Sequence, residues 1–224
     1  MDYSKTLISN AVHKSAIKAL CRSGDIQEII KFTNRARQKE VYVAAANYLK
    51  TADYSNSDEI LQSIQTFYTK AKEFDKLSSF LKNYASRKVN SVEEKDYDRA
   101  LWALTNALKA GKKAGVPADE DTTNAINILK EVTKFERSSK PEELLQVAVG
   151  NKNSLVSDDS VFAFLAESFD KWSNLERSRE FANMIESNDL QSRYLSGGLL
   201  SRLGLGKNVP RPGTAAYVME DLFS

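Results

Sequence analysis

A chain of 224 residues with 42% apolar and 28% charged residues has the composition of a globular protein and is long enough to bury a sizeable core. Its 32 basic and 30 acidic residues leave a net charge of +2, which speaks against the strong basic bias of a nucleic-acid footprint. No apolar run approaches the roughly 18 residues of a membrane span, the opening MDYSKTLISNAV does not read as a secretory signal peptide, and the single cysteine, Cys21, excludes an internal disulfide and fits a reducing compartment.

Met1 to Cys21 reads as a helix with Ile17 and Leu20 inward. It begins without a capping segment, so the chain is expected to be a piece of a longer helical array. In Arg22-Ser23-Gly24-Asp25, Gly24 supplies a positive φ after one helix and Asp25 caps the next, which runs to about Ala36 with Ile26, Ile29, Ile30 and Phe32 as its apolar bulk.

The stretch from Arg37 to Tyr84 organises the rest. Val41, Ala44, Ala45, Tyr48 and Leu49 fall at i, i+3, i+4, i+7 and i+8. Ile60, Ile64, Phe67, Tyr68 and Ala71 keep that period, as do Leu77, Phe80, Leu81 and Tyr84. Apolar residues so spaced make one stripe along a helix, and each stripe needs a partner. Tyr48, Phe67 and Leu81 are expected to be buried between adjacent helices, with Thr51–Asn56 as the break.

Past a polar connection from Val89 to Lys95, Asp96 opens a helix with Tyr97, Ala100, Leu101, Leu104 and Leu108 inward, which Gly111 and Gly115-Val116-Pro117 end. Asp119-Glu120-Asp121 place negative charge at the start of the next, where it meets the positive end of the helix dipole. The stripe of that helix is Ala125, Ile128, Leu129 and Val132. Pro141 begins a short helix, Asp158-Asp159 another with Phe162, Leu165, Ala166 and Phe169 on its face, and a last helix carries Leu175, Ser178, Ala182 and Ile185. No segment alternates with period two over a useful length. Ala166, Phe169, Leu175, Ser178 and Ala182 fit a tetratricopeptide repeat, and Tyr68, Phe74, Leu77 and Leu81 fit it in part. The expected fold is all-α: a degenerate tetratricopeptide-like α-solenoid of antiparallel helix pairs over residues 1–196, then a Gly/Pro-rich tail over 197–224. Within that tail Ala215, Val218, Met219, Leu222 and Phe223 return to helical spacing behind Thr214 and are expected to dock in a groove, on this chain or on a partner.

The residues that bear chemistry do not assemble a catalytic or metal site. His13 and Cys21 sit eight positions apart on one helix, about 12 Å along its axis, and cannot touch. His13 therefore reads as a surface or groove polar residue, Cys21 as a small buried hydrophobe, and two potential ligands are too few for zinc. Counting a calcium loop from Asp119 puts Asn124 where Gly is needed and Lys130 where Glu is needed. Glu93, Glu94, Asp96 and Asp98 read as solvated charge in a connector, and Gly204-Leu205-Gly206 lacks the third glycine of a phosphate loop. Trp102 and Trp172 read as core or groove packing. Arg35, Arg37 and Lys39 cluster at a helix boundary, as a solvated helix end or as a contact for an acidic partner surface.

RQKE before Val41-Tyr42, AANYL (Ala45–Leu49), FYTK (Phe67–Lys70), YDRALWALTNALK (Tyr97–Lys109) and the late SRLGLGKNVPRP stand in an order that resembles the C-terminal repeat region of the intraflagellar transport protein 140 family, densely over residues 16–109 and thinly from 110 to 190. The resemblance implies a non-catalytic scaffold within intraflagellar transport complex A, without cofactor or metal. Its partners would be other subunits of that complex, its place the cilium or flagellum and basal body, and its work retrograde transport and ciliary entry of membrane proteins. Neither nucleic acid, membrane insertion nor a small-molecule substrate is implied. Arg35, Arg37, Lys39, Val218, Met219, Leu222 and Phe223 are the candidate partner-binding residues. A helical-repeat subunit of another vesicle-coat or tethering complex is the alternative.

Overall fold

The computed structural model describes residues 3–91, 94–150 and 155–186. They form ten α-helices and no strand: α1 (Tyr3–Ser23), α2 (Ile26–Ala36), α3 (Lys39–Leu49), α4 (Asp58–Ala71), α5 (Phe74–Asn90), α6 (Tyr97–Lys113), α7 (Glu120–Lys134), α8 (Pro141–Gly150), α9 (Asp158–Lys171) and α10 (Leu175–Asn183). The chain divides into two units, Met1–Tyr84 with Trp102–Asp119, and Ala85–Leu101 with Glu120–Ser224. The Gly/Pro-rich tail expected from residue 197 lies outside the described residues.

Polar caps set several of the starts. Asp25, Ser57, Ser157 and Asn174 each accept a hydrogen bond from the backbone N–H three residues on, satisfying a donor that the first turn leaves orphaned. The stops are less ordinary. Gly24 takes φ +78°, as a glycine can. Arg37 (φ 50°) and Lys72 (φ 58°) adopt the same left-handed conformation with a side chain attached, closing α2 and α4, and Ser173 (φ 60°) does so in the turn between α9 and α10.

In the first unit α1, α2 and α3 pack on one another, and α3 on α4. Ile17, Ile29, Val41, Ala45, Leu49, Ile64 and Phe67 are buried there almost completely. The Tyr42 and Phe67 rings sit 5.7 Å apart, and the Tyr68 hydroxyl donates to Asn47 Oδ1 at 2.7 Å. The α3–α4 connection is anchored by Tyr54, whose ring meets Phe80 edge-on at 5.2 Å and lies 6.3 Å from Tyr84. Further along, the Ser78 hydroxyl of α5 donates to the Ala107 carbonyl of α6 at 2.9 Å.

The second unit stacks α7 on α8, α8 on α9 and α9 on α10. Its centre is aromatic. Phe135 meets Phe164 edge-on at 5.6 Å and stacks on Trp172 at 5.8 Å, Phe169 stacks on Phe181 at 5.6 Å, and Tyr97 meets Phe164 edge-on at 5.2 Å. The buried Ser178 hydroxyl donates to the Ala166 carbonyl at 2.7 Å, so α10 can approach α9 closely at that point. Asn90 ties three elements: its amide donates to the Leu155 carbonyl at 3.2 Å, and its carbonyl accepts from the Ser160 hydroxyl at 2.7 Å.

Several expected faces are turned. Along α3 the buried set is Val41, Tyr42, Ala45, Ala46 and Leu49, while Ala44 and Tyr48 are only half-buried. Three neighbours, α1, α2 and α4, claim this helix, so its apolar arc is shifted toward Tyr42 and Ala46. Tyr48 instead brings its hydroxyl near the Gly24 turn, 3.7 Å from where a Cβ would stand. Phe67 and Leu81 are buried as expected. On α6 the inward line runs through Ala100, Ala103, Leu104, Ala107 and Ala110, so Ala100 and Leu104 are inward as expected, while Leu101, Leu108 and Tyr97 are half-buried. Trp102 is no core residue, with 43% of its surface exposed. Leu175 is 53% exposed, and Phe181 takes the inward place on α10. On α9 it is Val161 that is buried and Phe162 that is half-exposed.

Candidate functional site

The basic corner lies where α2 hands over to α3. Arg35 stands in the last turn of α2, where a cation meets the negative end of the helix dipole. Arg37 is the left-handed residue that closes α2, its N–H returning to the Thr33 carbonyl. Lys39 opens α3. All three side chains are exposed. They do not act alike, because Lys39 is drawn into a three-membered ion cluster: Glu73, in the α4–α5 turn, holds Lys39 at 2.9 Å and Lys76 at 2.7 Å. Hydrogen bonds from Lys76 and then Lys39 hold the Glu73 carboxyl below its ordinary range. Arg35 and Arg37 have no such carboxylate partner among the described residues. Nearby, the Lys70 ammonium lies 3.4 Å from Asn34 Oδ1 and 5.5 Å from the centre of the Tyr42 ring. Charge is fixed around the corner while its two guanidiniums stay available to solvent. Val218, Met219, Leu222 and Phe223 lie outside the described residues.

A second feature escaped the sequence reading. A groove of 190 Å³ opens between α4, α5 and α6. Leu77, Leu81 and Ala110 make its apolar floor with Phe74 at the edge, Gln65 and Thr69 of α4 form one wall, and Asn106, Lys109 and Lys113 of α6 form the other. The Lys113 ammonium sits 5.6 Å from the centre of the half-buried Phe74 ring. Asn106, Lys109 and Lys113 recur at the helical period, but on the polar side of an amphipathic helix such a row looks like solvated surface until the facing helix is in place.

The other chemistry-bearing residues have structural duties. His13 Nδ1 lies 3.2 Å from Gln38 Nε2, and its ring is 5.9 Å from Phe32. Cys21 is half-exposed rather than buried, and what burial it has pushes its thiol up, away from the reactive thiolate. Asp96 caps α6 by accepting from the Arg99 N–H at 2.9 Å, and Glu94 receives Arg87 at 3.3 Å. Asp119 is paired with Lys82, and Glu120 and Asp121 occupy the first turn of α7. Glu93 and Gly204–Gly206 lie outside the described residues. Among the described residues no three His, Cys, Asp or Glu side chains gather as metal ligands, and no helix is long and apolar enough to cross a membrane.

The described residues form helix pairs, and the comparison with known families concerns those pairs. Residues 4–67 match the family of the tetratricopeptide (TPR) domain of intraflagellar transport proteins 140 and 172. The matched segment runs from α1 through most of α4 and contains the basic corner entire. An intraflagellar-transport-type tetratricopeptide segment thus opens the first unit, and the resemblance carried by the RQKE and AANYL words falls inside it. The FYTK word begins on its last residue, and Tyr97–Lys109 and Ser201–Pro212 lie beyond it. Within this intraflagellar-transport-type segment, left-handed Arg37 belongs to a two-residue turn between helices, the same device that Lys72 repeats in the following pair.

Proposed function

We propose that this chain is a non-catalytic scaffold, the C-terminal part of an intraflagellar transport complex A subunit, which holds other subunits of that complex. It would serve retrograde ciliary transport and ciliary entry of membrane proteins from the cytoplasmic side of the cilium or flagellum and the basal body. The observation that carries this reading is the intraflagellar-transport-type tetratricopeptide segment at residues 4–67. The exposed Arg35 and Arg37 within that segment support a role at an interface, because a guanidinium can take a carboxylate bidentately across a protein contact. Lys39 would contribute less, its charge being already spent on Glu73. Val218, Met219, Leu222 and Phe223 would form the second contact, an apolar helical stripe laid on a neighbour.

The test is affinity capture of the tagged chain from ciliated cells. Complex A subunits should be recovered with the parent chain and depleted with Arg35→Glu/Arg37→Glu. Deletion of residues 214–224 should lower recovery again if the terminal stripe contributes. Because the family match ends at Phe67 and the helix pairs beyond it follow general repeat rules, a vesicle-coat or tethering assembly is the second reading. Recovery of coat or tether subunits in place of complex A would decide for it.

A further inference from the structure

The groove between α4, α5 and α6 has three properties that together specify a ligand. Its floor is apolar but small: Leu77, Leu81 and Ala110 are buried at its base, Phe74 is half-buried at its edge, and the 190 Å³ space accepts one large aliphatic side chain rather than a helix face. Its charge is of one sign. Lys109 and Lys113 line it, no acidic side chain does, and neither lysine has an ion-pair partner among the described residues. Its remaining walls carry amide and hydroxyl groups, Gln65, Thr69 and Asn106, which both donate and accept.

Spacing narrows the choice further. Lys109 and Lys113 are one helical turn apart, about 6 Å along α6, as are Gln65 and Thr69 along α4. An extended chain places alternate side chains about 6.6 Å apart on one side and the intervening one on the other. A peptide lying along the groove can therefore raise two carboxylates to the lysine ammoniums at the rim while a leucine between them points down to the floor. Its backbone amides then fall beside Gln65 and Thr69. The Lys113 head is already held at the rim by the face of Phe74, 5.6 Å away, which lowers the entropy lost on binding.

We infer that this groove binds an extended acidic segment of another protein, with one aliphatic side chain on the Leu77–Leu81–Ala110 floor and a carboxylate on each of Lys109 and Lys113. The inference rests on the reading of the chain as a binding module but not on the identity of the complex, since all but one of the groove residues lie beyond the matched segment.

The probe is a fluorescein-labelled peptide with a Glu-Leu-Glu core in a Gly-Ser frame, titrated with the full chain by fluorescence anisotropy. Binding should weaken as salt rises, since exposed charges are screened. Glu-Gly-Glu and Lys-Leu-Lys peptides should each bind at least about tenfold more weakly, roughly one power of ten in Kd. Lys109→Glu/Lys113→Glu should lose binding to a similar degree with an unchanged circular dichroism spectrum, both positions being exposed. Thr69→Trp, an exposed wall residue enlarged to fill the groove, should abolish binding while leaving both lysines in place. Equal binding of the three peptides, or insensitivity to either variant, overturns the proposal. So does preferential binding of single-stranded RNA or of phosphatidylserine vesicles at the same lysines. Binding that emerges only after residues 197–224 are removed would mean that the chain's own terminal segment takes the groove, and would overturn the external partner. Failure of the peptide leaves the capture of complex A subunits at the Arg35–Arg37 corner untouched, so the two readings fall separately.

Discussion

Phe67 is a side chain whose loss should be costly in the first unit. It is almost fully buried, against the Tyr42 ring, and Phe67→Ala should destabilise by about 3–5 kcal/mol in urea unfolding. A loss below about 1 kcal/mol would mean that the site collapses around the gap or was never packed. Two tyrosines make a sharper comparison. The Tyr68 hydroxyl donates to Asn47, so Tyr68→Phe should cost about 1 kcal/mol. The Tyr97 hydroxyl is buried with no hydrogen-bond partner among the described residues, so Tyr97→Phe should be neutral or slightly stabilising. Burial first, and the nearby charge of Glu167 second, hold the Tyr97 phenol well above its ordinary range. Its contribution is thus complete below the unfolded tyrosine pKa of about 10 and is lost as pH rises above it, because only the unfolded chain ionises easily there. The melting temperature of the parent should fall faster than that of Tyr97→Phe on the alkaline side, and parallel curves would refute the assignment. None of this contrast was legible beforehand. Tyr68 and Tyr97 both stand on apolar stripes, and a stripe shows that a ring turns inward, not whether its hydroxyl finds an acceptor. Trp102, read as core or groove packing, is 43% exposed, and Leu104 with four alanines, Ala100, Ala103, Ala107 and Ala110, fills the inward line of α6.

At the level of the helix, the Asp25 cap and the Gly24 turn were legible, whereas the Ser157 and Asn174 caps and the left-handed stops at Arg37 and Lys72 were not. Ser57 ends a polar break and begins an acidic first turn, the usual signature of a start, and Ser57→Ala should cost about 1 kcal/mol through loss of the bond from the Ile60 N–H. Arg37 and Lys72 give no such sign, because a left-handed stop is read from glycine and both residues are long cations. Their Cβ atoms are carried in a conformation that disfavours side chains, so Lys72→Gly should stabilise by about 0.5–1 kcal/mol in spite of its greater freedom when unfolded. A lower midpoint in denaturant would show that the Lys72 side chain makes a contribution larger than the strain. The periodicity of α3 fixed its existence but not its rotation. Val41, Ala45 and Leu49 lie inside on either reading, and only the three helices packed on α3 decide between Ala44–Tyr48 and Tyr42–Ala46. The groove was hidden for the same reason: Gln65 and Thr69 acquire meaning only opposite Asn106 and Lys109, some forty positions away in the chain.

For the molecule as a whole, the fold class was open in the sequence because helical stripes recur along its length, and among the described residues the strongly periodic segments are helices. Chelation supplies a direct check on the expectation that no metal is bound: EDTA should leave the melting temperature unchanged, and a fall would expose a site that the ligand count does not anticipate. The principal helix contacts run between an element and the next, or the next but one: α1 with α2 and α3, α3 with α4, α7 with α8, α8 with α9, α9 with α10. Contacts so close in sequence require little loop closure before they form, and that sets a tempo. Refolding should be fast, on the microsecond to millisecond scale typical of helical chains rich in local contacts. Amide exchange should then follow a gradient instead of a single threshold, slowest around Ile64–Tyr68 and Leu165–Phe169 and faster toward the ends of each unit, since a helix pair can open while its neighbours stay closed.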